Sequence, residues 1–107
     1  MLMGPYSTTE VDIHVTRVSP GVYILSSDGK TAAYVGRSDN DVSSRIKQSA
    51  GEVHYSYFWF EYALSSRDAY RKECEYYHKY SAPDNVNHPA APFGTNLRCP
   101  IIGCPWS

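Results

Sequence analysis

Charge of one sign is the first thing this chain of 107 residues lacks. Ten Lys and Arg stand against eleven Asp and Glu, a formal net charge of -1. No overall basic field draws in a polyanion, so a nucleic-acid reader would need a local basic surface. No apolar run reaches the roughly 18 residues of a membrane span, and no membrane partner is expected. The start, "MLMGPYSTTEVD", has neither a basic stretch nor an apolar core, so no secretory signal is read and the cytoplasm is the default location. Cysteine is scarce: three residues, an odd number, argue against a disulfide scaffold and for a reducing compartment. No internal repeat or low-complexity segment is visible. The apolar fraction of 42% is slightly short of the globular average of roughly 45–50%. Tyrosine makes up the shortfall, with ten of the fifteen aromatic residues. A core is possible, but one with many hydroxyls seeking partners.

Periodicity and punctuation divide the chain into an N-terminal arm (1–18), a core (19–82) and a tail (83–107) of one domain. In the arm, "VDIHVTRV" alternates apolar and polar residues and predicts an edge strand or extended segment. Val22–Ser26 and Thr31–Val35 predict two strands around the Asp28-Gly29 turn signal. The loop "GRSDND" offers helix caps, and a short helix follows from Val42 to about Ala50, ended by Gly51. "HYSYFWFEYAL" is β-prone with apolar groups on both faces, hence a buried strand. Ser65 and Asp68 form an Asp version of a capping box, opening a helix to about Tyr80. Five of the seven prolines fall in the last 25 residues, so the tail should be irregular and wrap the surface. The order ββαβα plus a tail predicts an α+β fold with a small three-stranded antiparallel sheet flanked by helices.

With Asp28-Gly29 central in a two-residue turn, Tyr23 pairs directly with Tyr34 and both phenols share one face. An aromatic cross-strand pair of this kind is common in ordinary hairpins. Gly21 and Gly36, however, flank the pair at one end, where glycine would let a ligand approach the backbone. Arg37 and a helix N-terminus follow. That shelf suits a phosphate.

The second helix adds a separate signal. At 100° per residue from Ala69, the tyrosines and Cys74 make an apolar stripe and most charged residues sort to the other side. Glu73 alone lands inside the stripe, about 40° from Ala69. A carboxylate there must be paired, protonated or bound to metal. The structural explanation is a bond to a buried Tyr or an ion pair with Arg45. The functional one is a site. Glu75 falls on the solvated side.

"GVY", ten residues, "YVG", an Arg on the following helix and a Glu on a later one: this order resembles the GIY-YIG endonuclease family over about Pro20–Asn87. The tail "NHPAAPFGTNLRCPIIGC" looks like the end of a small stand-alone bacterial branch of it. The resemblance implies metal-dependent hydrolysis of nucleic-acid phosphodiesters, with DNA as the expected partner and Mg²⁺ or Mn²⁺ as cofactor. By position, Tyr23 would take a proton from the attacking water. Tyr34 would bind the phosphate or orient that water. Arg45 would stabilise the phosphoryl oxygens and Glu73 would hold the metal. Gly36, Arg37 and Asn85 would contribute to substrate binding. Arg37 stands where relatives often have Lys, and Asn85 matches the family's late asparagine. The chain departs from the pattern by one extra residue between YVG and Arg45. It also has Ser49 where many relatives have His or Tyr, with His54 and Tyr55 as nearby substitutes. No separate DNA-binding domain is visible. These departures and the mild acidity favour a rival reading, a non-catalytic module binding nucleic acid or protein on the same scaffold. A structural subunit with a tyrosine-rich strand packed on a partner is the third.

Cys99 and Cys104 form C-x4-C, with His88 upstream. The spacing admits zinc, but two cysteines and one histidine do not complete a site. Tail thiols or a local disulfide therefore come before Zn²⁺. Cys74 reads as a small apolar residue of the helix, and His14 and His78 as surface residues.

Overall fold

A computed structural model describes residues 2–53, 55–85, 88–101, 103 and 104. Its sheet is built around one segment apolar on both sides. Strand β2 (Gly21–Ser26) is buried at every position. It pairs antiparallel with β3 (Tyr34–Ser38) on one side and β4 (Tyr57–Tyr62) on the other. A further strand, β1 (Met3–Ser7), pairs antiparallel with β4 and completes the order β1-β4-β2-β3. The sheet thus has four strands rather than the expected three, and the α+β class holds. The added edge comes from "MGPYS", whose Gly and Pro hide it from a strand reading.

The alternating stretch after it is not a strand. Val11–His14 is a single helical turn, α1, reached through a 3-10 turn at Thr8–Glu10. Val11 and Val15, four apart, are buried, whereas Ile13 between them is 67% exposed. Helical spacing won over alternation here. Helix α2 (Val42–Val53) runs through Gly51 instead of ending there, and open space surrounds that glycine. Helix α3 (Ser66–Tyr80) opens on the Ser65 half of the expected box, with Asp68 reaching one residue farther back than the N-cap. Ser65 Oγ accepts from Asp68 N–H at 3.1 Å, and Asp68 Oδ2 accepts from Leu64 N–H at 2.9 Å.

The β2–β3 register is shifted by one pair of residues. Tyr23 faces Gly36 and Leu25 faces Tyr34. Asp28 does not form the centre of a two-residue turn. Its Oδ1 accepts from the Lys30 and Thr31 amides, both at 2.8 Å, and from Ser26 Oγ at 2.9 Å. The loop so braced is longer, and Gly29 takes φ +75° in it. A shift of even size keeps both phenols on one face, so that expectation survives the wrong register.

Two packed layers cover the sheet. On one face Tyr23, Leu25, Phe58 and Phe60 pack with Val11, Val15, Val42 and Ile46 of α1 and α2. On the other, Val22, Ile24 and Val35 pack with Ala82 and with Tyr76 of α3. The described residues of the tail form no regular helix or strand but lie against α3, where Tyr70 and Cys74 meet Cys99, Cys104, Leu97 and Ile101. No helix among the described residues is long and apolar enough to cross a membrane.

Candidate active site

Strand β3 ends the sheet, and a cleft of ≈ 540 Å³ wraps its outer edge. Residues from both faces of the sheet line this cleft. From the α2 face come Tyr23, Tyr34 and Arg45, and from the α3 face Arg37 and Glu73. The tail supplies Asp84, Asn85, His88, Pro89 and Ala90 as the far wall. Alternation along β3 explains the division: Tyr34 and Gly36 point to α2, Val35 and Arg37 to α3.

The phenol end is tightly built. The rings of Tyr23 and Tyr34 lie 6.3 Å apart at 40°. A Cβ on Gly36 would sit 2.5 Å from Tyr23 Cζ and 2.9 Å from the Tyr34 ring. Gly36 therefore makes room for the tyrosine pair, not for a ligand. Gly21 is likewise closed off, with a Cβ falling 2.7 Å from the Glu61 carbonyl. Tyr23 Oη shares a hydrogen bond of 2.9 Å with Ser49 Oγ. Burial pushes the Tyr23 hydroxyl up to about 12, with Ser49 and Arg45 acting against the rise and Tyr34 adding to it. Tyr34 is raised too, by burial and by the charge of Glu73. Ser49 was marked by sequence only as a departure, yet it takes the place beside Tyr23. It lies four residues past Arg45, and that spacing sets both on one helix face. Of the two substitutes, Tyr55 is tied to the tail, its hydroxyl donating to Asp84 Oδ2. His54 lies outside the described residues.

The carboxylate end differs. Glu73 is only 8% exposed, as its place in the apolar stripe implied. Its ion-pair partner is Arg37, not Arg45: Arg37 Nη1 donates to Glu73 Oε1 at 2.6 Å. The same guanidinium gives its Nε–H to Asp39 Oδ1 at 2.8 Å and lies over the Tyr70 ring. Burial raises the Glu73 carboxyl above its usual range, Arg37 pulls it back, and nearby Asp39 raises it further. Sequence reading gave Asp39 no role.

Two further expectations change. Asn85 uses both ends of its amide on the backbone of Val35. Oδ1 accepts from N–H at 2.8 Å, and Nδ2 donates to the carbonyl at 2.9 Å. It anchors the tail to β3 and lines the cleft from there. At the N-terminus of α2 the first amide is already taken. Ser38 Oγ accepts from the Asn40 and Asp41 amides, and the Ser19 carbonyl accepts from Val42.

The tail also gathers more than expected. The described residues form no disulfide. His78 is not a plain surface residue, since its Nε2 lies 3.5 Å from Cys99 Sγ.

No family model matches the sequence, and no curated protein matches it. Among solved structures, the chain is similar to the GIY-YIG N-terminal endonuclease domain of UvrC from Thermotoga maritima, a point mutant bound to its catalytic divalent cation. The match has a TM-score of 0.56 at 20% identity and covers 73% of this chain and 97% of that one. The fold is that of a GIY-YIG endonuclease domain.

Proposed function

We propose that the cleft hydrolyses phosphodiester bonds of nucleic acid, DNA first among substrates, with Mg²⁺ or Mn²⁺. One observation carries this reading. Two phenols, the Arg45 guanidinium and a desolvated carboxylate line a single cleft around the outer edge of β3, on the fold of a nuclease domain.

The donor set fits a hard cation. Glu73 is an oxygen ligand raised by burial, and its counter-charge, Arg37, is shared with Asp39. Added positive charge there is favourable, and one carboxylate suffices when waters and phosphate oxygens complete the shell. When bound, the cation supplies charge that stabilises the phosphoryl oxygens.

The side chains divide the remaining work. Arg45 is exposed at the rim, where its planar fork can bridge two phosphate oxygens. Tyr34 offers a hydroxyl that keeps its proton and can donate to the phosphate. Tyr23 Oη would take a proton from water only as the phenolate, a minor form at neutral pH with the hydroxyl at about 12. Ser49 and Arg45 both favour its ionised form, while burial opposes it. Gly36 gives the pair its spacing. Arg37 holds Glu73 in orientation, and Asn85 holds the wall opposite.

The test incubates supercoiled, branched and single-stranded DNA with the protein and Mg²⁺ or Mn²⁺. The expected result is cleavage that falls about 100-fold or more in Glu73→Ala and in Tyr34→Phe, the range of a lost positioned group. Inertness of wild type on every substrate would sink the enzyme. The Arg37–Glu73 ion pair favours one second reading, a module that binds nucleic acid without turnover. In that case DNA binding would survive Glu73→Ala and be lost with Arg45→Ala.

A further inference from the structure

We infer that His78, His88, Cys99 and Cys104 form a structural Zn²⁺ site that pins the tail to helix α3. The ligand atoms of these four residues all lie within 4.8 Å of one another. A tetrahedral zinc with Zn–S near 2.3 Å and Zn–N near 2.05 Å has S···N edges of about 3.5 Å and S···S edges of about 3.8 Å. The two cross contacts, Cys99 Sγ to His78 Nε2 at 3.5 Å and Cys104 Sγ to His88 Nε2 at 3.3 Å, match the S···N edges. Two thiolates and two imidazoles gathered this closely select zinc among common divalent ions.

The surroundings orient the ligands. His88 Nδ1 lies 2.8 Å from the Pro89 carbonyl, which can only accept. Nδ1 therefore carries the proton, and the Nε2 lone pair faces Cys104. The Tyr77 ring meets both imidazoles edge-on, each at 5.3 Å. Both sulfurs are buried. A full set of four protein ligands leaves no open position, so the site is structural rather than catalytic. Cys74, though buried nearby, is not one of the four.

The placement explains how an irregular tail holds one path. Among the described residues from 81 to 104 there is no helix or strand, and few apolar side chains fix them. A metal joining the last turns of α3 to residues 88, 99 and 104 closes those loops at a point. His88, Pro89 and Ala90 also line the cleft, so the same metal would brace the cleft's far wall.

The test uses the full chain purified under reducing conditions. Elemental analysis should find one zinc per chain. Co²⁺ substitution should give tetrahedral visible bands with a thiolate charge-transfer band. Cys99→Ser and His78→Ala should each weaken zinc about 100-fold or more, since losing even a group that only orients a ligand costs about 10–100-fold. Cys74→Ser should keep full metal content. If the ligand variants fail to fold, the Co²⁺ spectrum of the wild type decides alone. A chain without zinc that takes up no Co²⁺, a Co²⁺ spectrum lacking the thiolate band, or an intact mass showing Cys99 and Cys104 oxidised together would overturn the site. None of these readouts depends on DNA cleavage.

Discussion

Two glutamates in this protein are equally hidden and oppositely treated. Glu61 on β4 and Glu73 on α3 are each 8% exposed. Glu61 accepts from Lys72 Nζ and from Tyr76 Oη, both at 2.6 Å. Burial pushes its carboxyl up, but those donors outweigh burial and hold it at about 2. Glu73 shares a single guanidinium with Asp39, and burial keeps its carboxyl raised. The first acid is fully answered by its neighbours. The second keeps a raised carboxyl at the wall of a cleft, burial outweighing its one guanidinium partner. Burial alone does not mark a functional carboxylate. The balance between desolvation and donated hydrogen bonds is what sets these two acids apart.

The largest difference should appear in stability. Glu61→Ala strips Lys72 and Tyr76 of a buried partner and should cost about 3–5 kcal/mol in urea unfolding. Glu73→Ala leaves Arg37 with Asp39 and should cost about 1–2 kcal/mol. Equal costs would erase the distinction. Next comes the response to Mg²⁺. At a hundredfold excess over its dissociation constant, Mg²⁺ should stabilise wild type and Glu61→Gln by about 2.7 kcal/mol, and Glu73→Gln hardly at all. Smallest is the pH dependence, and its sign separates the two acids. A raised native pKa stabilises below the unfolded value and is lost as pH rises, so Glu73 should add stability on acidifying from neutral pH toward about 4.5. A depressed native pKa stabilises above the unfolded value and is lost as pH falls, so Glu61 should withdraw stability from about pH 4.5 toward 2. Glu73→Gln should abolish the gain, and Glu61→Gln should flatten the acid limb. Unfolding midpoints measured across that range check both.

The same pair shows what was legible beforehand. Glu73 stood out because a fifteen-residue helix sorts its faces strongly, and one charge in the apolar stripe is visible at 100° steps. Glu61 passed unnoticed in "YFWFEY", where aromatic side chains cover both faces and hide the alternation that aims it at α3. Tyr23 and Tyr34 kept their common face because the hairpin slipped by an even step. The partner of Glu73 was missed since Arg37 reaches it across layers, a relation local spacing does not encode. His78 was missed for a similar reason: on its own helix it sorts with the charged residues, and only the returning tail brings sulfur to it. The edge strand at Met3–Ser7 was lost behind Gly4 and Pro5, while Val11 and Val15 satisfied two periodicities at once.

Asn85 also shapes how copies of this chain meet in a crowded solution. An outermost ribbon with bare amides invites another molecule to add a ribbon of its own. By laying an amide across Val35, the protein occupies that invitation itself. The contact that shapes a wall thereby discourages polymerisation along the sheet's exposed margin.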